Sequence, residues 1–339
     1  MKRVRIKDIA QEAGVSTAAV SYVVNGKKGV SPQTREKIEK VIDKYNYHPS
    51  LRSKSLSLGK NYCVHAVIRR EAAPACKAFY FNVIAQMVEQ VRGHYSVVPV
   101  FQGDDTEEDD TLRKIIQSDS TDGVIAFQGV MPQIQSELDK HGIPLVVINP
   151  GISETDSTAI IIDFEKLAYR ATSHLIENGH RSIAMIGMAC MPLFFEMTKS
   201  GFLRALQDAC IEANNDWIRG EADSEPGAAL AMETILKAGA PTAVFCVQDN
   251  FAISAMSTCA QQGLRVPEDV SFIAIDDIPE AQYLNPPLTT IPVSPAEMAE
   301  ASLSLLSEKM EHGSPKSIVL PCHQIVVRHS VAAIQPKRP

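Results

Sequence analysis

Apolar residues in the first fifty positions recur with helical spacing in three short groups. Ile6, Ile9, Ala10 and Ala13 share one face of a first helix. Gly14 marks a turn, and a second helix starts near Ser16. Val20, Val23 and Val24 fall on one face of it, and Thr17, Ala18, Ser21 and Tyr22 on another. A basic loop, Asn25-Gly26-Lys27-Lys28-Gly29, follows. Ser31 is then a good N-cap, and Pro32 suits the first position of a third helix. Its Ile38, Val41, Ile42 and Tyr45 recur at i, i+3, i+4 and i+7 and close a three-helix core. A short helix with a small polar outer face, set behind a tight Gly turn, predicts a helix-turn-helix head that enters a DNA major groove.

Residues 50–60, SLRSKSLSLGK, are too polar for a core element yet hold Leu51, Leu56 and Leu58, and read as a linker. From residue 62 strand-like runs (Tyr62–Ile68, Ser96–Phe101, Gly123–Phe127, Pro144–Ile148) alternate with helical patterns such as Val83, Ile84, Met87, Val88, Val91. A second series begins at Ala159–Asp163 and continues through Ser182–Gly187, Thr242–Val247, Val270–Ile275 and Thr289–Val293. Apolar strands alternating with amphipathic helices predict an α/β body of doubly wound parallel sheets. Two series predict two lobes, with a ligand cleft at the strands' carboxyl ends. No Gly-rich phosphate loop sits at a strand–helix junction.

The formal net charge is −7 over 339 residues, which alone argues against nucleic acid. Its distribution reverses that. Residues 1–60 hold 13 Lys and Arg against 5 Asp and Glu, a net of +8, and the remainder nets −15. A basic head on an acidic body binds DNA locally while the body is repelled from the phosphates. The seven cysteines (Cys63, Cys76, Cys190, Cys210, Cys246, Cys259, Cys322) form no CxxC pair. They read as reduced thiols in a cytoplasm, mostly small core residues. The sequence starts without a signal peptide, and no apolar run approaches the ~20 residues that span a bilayer. His94, His141, His174, His180 and the other histidines show no metal spacing and no nucleophile arrangement. No catalytic residue, metal or cofactor is therefore expected.

The stretches IKDIAQEAGVS, VSYVVNG, VSPQTREKI and YHPSLRSKSL resemble the DNA-binding head of the lactose/galactose repressor family. The likeness runs on through AFYFNVI, IENGHRSIAMIG, GFLRAL, PTAVFCVQDNFAISA, LRVPEDVSFIAIDD and PPLTTI, and so covers nearly the whole chain. It implies a homodimer reading a pseudo-palindromic operator in double-stranded DNA, a repressor switched by a small-molecule effector such as a sugar, a sugar phosphate or another metabolite. It places the head at 1–49, a hinge helix at 50–60 and a periplasmic-binding-protein-like body at 61–339. Lobe 1 is then about 61–158 with 293–320, and lobe 2 about 159–290 with 321–335. The family's base-reading positions fall on Thr17, Ala18 and Tyr22. Tyr22 cannot make the bidentate guanine contact of an Arg. Ser16, Ser21, Asn25 and Ser31 suit phosphate positioning, and Ser53 belongs with them on the hinge. Leu56 falls where the family wedges a side chain into the minor groove.

For the effector, the resemblance puts Tyr80 and Phe81 where a ring meets the ligand. Asp249 and Asp276 follow strand ends, where a carboxylate accepts hydroxyl or amine hydrogen bonds or caps a helix. Gln128 and Asn149 also stand at strand ends. Thr198 occupies the place of a family Arg, behind an unusually apolar loop, Met188 to Phe195. Arg69 and Arg70 close the first strand and either face the cleft or solvent. The effector is thus anionic and held by these arginines, or less polar than a free sugar, or the site takes no small molecule. A dimer is expected through the lobe nearer the head, around Phe79–Val91 and 105–118, and the tail carries no heptad for a tetramer. The alternative class is a solute-binding protein of the same body fold, against which the basic head counts.

Overall fold

The computed structural model describes residues 4–24, 27–45, 47, 61–91, 95–103, 111–149, 158–313 and 315–334. The chain divides into two compact units, 1–63 with 120–122, and 64–119 with 123–339. Asn25, Ser53, Leu56 and the expected hinge helix at 50–60 lie outside the described residues.

In the first unit α1 (Ile6–Ala13) ends at Gly14, whose φ of 66° is the left-handed cap that a Cβ would disfavour. Next come α2 (Thr17–Val24) and α3 (Pro32–Lys44). Ser16 Oγ accepts the N–H of Ala19 (3.2 Å), and Ser31 Oγ that of Thr34 (3.2 Å), so both serines cap helices. Ile9, Ala10, Ala13, Val20, Val23 and Ile38 form the buried core, with Val41, Ile42 and Tyr47 packed on it. Tyr45, expected in that core, is 40% exposed. Its hydroxyl bonds to the carboxylate of Glu12, which Lys44 also holds. A phenol with a charged partner at the surface gains more there than from burial.

The second unit contains two parallel sheets. The first, of six strands, has the order β11-β5-β4-β3-β1-β2: β1 (Cys63–Arg69), β2 (Ser96–Gln102), β3 (Gly123–Phe127), β4 (Leu145–Ile148), β5 (Ala159–Ile161) and β11 (Ile318–Val319). The second, of five, has the order β10-β9-β8-β6-β7: β6 (Ile183–Ile186), β7 (Ile218–Arg219), β8 (Ala243–Cys246), β9 (Ser271–Asp276) and β10 (Thr289–Pro292). The helices are α4 (Pro74–Gln90), α5 (Thr111–Gln117), α6 (Pro132–Lys140), α7 (Phe164–Glu177), α8 (Pro192–Asp208), α9 (Glu225–Ala238), α10 (Asp249–Gln261) and α11 (Pro295–His312). β3, β4, β6 and β8 are buried along their whole length, as strands covered on both faces must be. β2 lies at a sheet edge, where Pro99 costs no ladder bond, and most of its residues are exposed or half-exposed.

Three departures from the sequence reading follow from tertiary pairing. β5, read as the start of the second series, pairs with β4, so the first lobe extends through Ile161. The two-residue strands β7 and β11 were not foreseen, because neither carries a period. Of the cysteines only Cys76, Cys246 and Cys259 are buried; Cys63 and Cys322 are intermediate, Cys190 and Cys210 exposed, and all seven are free. The chain passes between the sheets at 161–164, 292–295 and 319–326, where Val326 bridges to Thr290. Among the described residues no helix is long and apolar enough to cross a membrane.

Candidate functional site

Two sites emerge, one in each unit. In the head, helix phase exposes Thr17, Ala18 and Tyr22 and leaves Ser21 half-buried, while Val20 and Val23 face inward. The Tyr22 ring lies on Gly29, where a Cβ would come within 3.3 Å of it and φ is +123°, so this loop position requires glycine. The Arg35 guanidinium donates to the carbonyl of Lys27 (2.8 Å) and ties the basic loop to α3. Lys7, Lys27, Lys28 and Lys37 are exposed, and none forms an ion pair with a described residue. The capping bonds of Ser16 and Ser31 leave each hydroxyl oxygen further capacity for a phosphate contact.

In the body a cavity of about 530 Å³ lies between the two sheets. The ends of β1, β3, β4, β8 and β9 and the starts of α4 and α8 shape it. Its walls are mostly apolar. Tyr80 stacks on Phe127 with centroids 4.4 Å apart, and Phe164 meets Phe194 edge-on at 4.7 Å. Phe79, Met191, Leu193 and Met197 complete that surface. Polar groups enter at a few points: Arg69, Glu71, Gln128, Asn149, Gln248 and Asp276. Gln128, Asn149 and Asp276 all have positive φ (66°, 51° and 123°), a strain the strand ends hold in place. The Gln128 and Asn149 amides still donate to the ladder, to Ile148 and Ile160 (2.8 Å each).

Several expected ligand residues are placed elsewhere. Phe81 points out of the cleft, 43% exposed and edge-on to Phe101; Phe79, two positions earlier on α4, takes the cleft side instead. Arg70 does not line the cavity; it stands just past the end of β1, in a turn where its N–H donates to the carbonyl of Gln102 (2.8 Å). Arg69 itself pairs with Glu71 (3.5 Å), which offsets its charge. Thr198 is fully buried and donates to the carbonyls of Phe194 (2.8 Å) and Phe195 (3.0 Å) within α8. Its short side chain returns to its own helix and stops short of the cleft.

The two aspartates separate. Asp249 is fully buried outside the cavity lining; it accepts from the N–H of Ile278 (2.8 Å) and the hydroxyl of Thr290 (2.6 Å). Burial pushes its carboxyl up to about 7, against the lowering effect of those bonds. Asp276 faces the cleft. Burial, then the charge of Asp249, holds its carboxyl well above the ordinary range. No side-chain hydrogen bond to it is found among the described residues. Gln248 was not singled out from sequence. It stands at the N-cap of α10 without capping it, and its Oε1 is buried with no hydrogen-bond partner among the described residues. The only sequence signal was its position beside Asp249 at a strand end. Together Gln248 and Asp276 offer a ligand two unspent polar groups in an apolar cleft. Arg265, in a more open groove of about 900 Å³ on the second lobe, is closed on Asp269.

Residues 5–50 match the sequence model of the bacterial regulatory proteins of the lacI family, and residues 172–331 that of a periplasmic binding protein-like domain. The chain is 32% identical over 340 residues to the HTH-type transcriptional repressor PurR of Vibrio vulnificus, spanning 97% of this chain and 99% of the relative. It is 30% identical over 335 residues to PurR of Mannheimia succiniciproducens, spanning 97% and 99%. Among solved structures, the lac repressor dimer bound to operator and the anti-inducer ONPF shares the fold with a TM-score of 0.83 at 22% identity, over 98% of this chain and 100% of that one. The complex of the transcriptional regulator CelR with cellobiose gives 0.68 at 26% identity, over 97% and 100%.

Proposed function

The chain belongs to the lacI family of bacterial regulatory proteins and is a DNA-binding transcription regulator; on that premise we propose how its own residues carry the work. The head reads a two-fold symmetric operator as one half of a homodimer, with α2 in the major groove. Thr17, Ala18 and Tyr22 meet base edges there, and Ser16, Ser21 and Ser31 meet phosphates. The observation that carries this is the exposed face of α2 together with four exposed lysines of the head that have no ion-pair partner among the described residues. Asn25, Ser53 and Leu56, outside the described residues, keep the DNA-contacting roles that the resemblance implies. The protein works in the cytoplasm, where its DNA lies, and by binding, without catalysis.

The small-molecule effector sits in the cleft and acts by favouring one lobe arrangement over another. The lining supports a compound less polar than a free sugar: a flat, largely apolar frame against Tyr80, Phe79 and Phe194, with an N–H or O–H group donating to Gln248 and Asp276. Gln128 and Asn149 add hydrogen bonds at the rim. Arg69, already paired with Glu71, is a poor anchor for an anion. Dimerisation uses the exposed apolar side chains of α4 and β2, namely Phe81, Val88, Val98 and Phe101, a patch suited to a second copy of itself.

A gel shift against DNA upstream of the protein's own gene, repeated at rising salt, tests the first part. One duplex is bound in preference to others with a steep salt slope, and Tyr22→Ala weakens that preference. Equal weak binding to every duplex would return the protein to the solute-binding class. For the effector, a thermal-shift screen is expected to find stabilisation by planar nitrogen compounds before free sugars.

A further inference from the structure

The corner of the cleft under α4 holds an arrangement that an organic effector does not explain. Cys76 Sγ lies 2.9 Å from Met191 Sδ and 3.5 Å from Met188 Sδ. Cys76 is 5% exposed and Met188 fully buried. The sulfurs come from opposite lobes: Cys76 from the first turn of α4, and the two thioethers from the segment between β6 and α8. Gln128 Nε2 stands 3.7 Å from Met191 Sδ. Cys190, exposed, lines the same cavity.

We propose that Cys76, Met188 and Met191 form a binding site for copper(I), a soft monovalent ion. Thiolate and thioether donors select such ions, whereas zinc, calcium and magnesium favour more anionic or oxygen-rich sets. Charge balance points the same way. One monovalent cation on one thiolate is a neutral centre, which a buried apolar corner tolerates; a divalent ion would leave a net charge there. In the reaction the Cys76 S–H bond breaks, an S–Cu bond forms, the proton leaves to solvent, and no oxidation state changes. Burial pushes the free thiol up to about 12, so the ion competes with a tightly held proton. The bound ion joins the two lobes. The inference concerns one corner of the effector cleft and stands whether or not an organic effector binds there.

The test is an anaerobic titration of the full chain with copper(I) against the chromophoric chelator bicinchoninate. One equivalent is expected to compete with the chelator, with affinity rising about tenfold per pH unit as one proton is displaced. Cys76→Ser is expected to lower affinity at least a hundredfold. Met191→Leu, at a half-buried position and nearly isosteric, lowers it about tenfold and covers the case in which the serine variant fails to fold. Cys210→Ala, at an exposed and separate thiol, leaves it unchanged. The proposal is overturned if no equivalent competes, or if both site variants bind as the parent does. A screen that finds no organic effector leaves this titration's reading untouched.

Discussion

The Thr290 hydroxyl donates to the Asp249 carboxylate over 2.6 Å, joining the start of α10 to the strand through which the chain leaves the second lobe. The N–H of Ile278 binds the other oxygen, and both aspartate and threonine are fully buried. Asp249, which the sequence puts among the candidate effector residues, is held in this contact as a structural tie with a titratable centre. Burial pushes the Asp249 carboxyl up to about 7 from an ordinary 3.8. Between those values the native state keeps a proton that the unfolded state has lost. Stability therefore falls as pH rises through that window. Asp276, also raised, adds in the same direction. Urea midpoints measured from acid to neutral pH are expected to show a shallower decline in Asp249→Asn than in the parent. At acid pH the two proteins start close together, because the amide oxygen can accept from Ile278 while its NH2 donates to the Thr290 hydroxyl. Parallel curves would show that Asp249 keeps its ordinary ionisation.

Gly201 on α8 permits the close approach of α7. A Cβ there would stand 2.0 Å from the carbonyl oxygen of Glu165 and 2.9 Å from the amide nitrogen of Tyr169, both backbone atoms that cannot swing away. Gly201→Ala is expected to cost about 3 kcal/mol, at or beyond the upper end of ordinary overpacking, and to lower the melting temperature by several degrees. An unchanged melting temperature would mean that the two helices slide apart without cost.

In the cleft, Gln248→Ala and Asp276→Asn are expected to weaken a donor-bearing effector about tenfold each, roughly the value of one hydrogen bond to a buried acceptor. Arg69→Ala should change affinity much less, since Glu71 already satisfies the guanidinium. Isothermal titration with whichever compound the thermal screen yields gives the comparison. The reverse ranking would favour an anionic effector.

Phe81, 43% exposed, and Val88, 50% exposed, lie on the outer side of α4. If that side meets a second copy, Phe81→Asp with Val88→Asp puts charge into an apolar contact. The dimer dissociation constant is then expected to rise at least a hundredfold by sedimentation, with the fold intact by circular dichroism. An unshifted dimer would move the contact elsewhere.

The head was legible because its information is local. The left-handed Gly14, the serine caps and the inward valines of α2 all act within one or two turns, and a 3.6-residue period reports them. The parallel sheets were legible for a similar reason, since strands covered on both faces are apolar throughout. The cleft was not, because its residues meet through three passages of the chain between lobes. One step past the end of β1 separates Arg70 from Arg69, two along α4 separate Phe79 from Phe81, and one separates the cleft-facing Gln248 from the buried Asp249. Those phases are fixed by which face each element packs, a decision made by residues distant in sequence. The approach of Cys76 to Met188, 112 positions apart, is of the same kind: residue types supply the sulfurs, and only the packing of α4 against the other lobe brings them together.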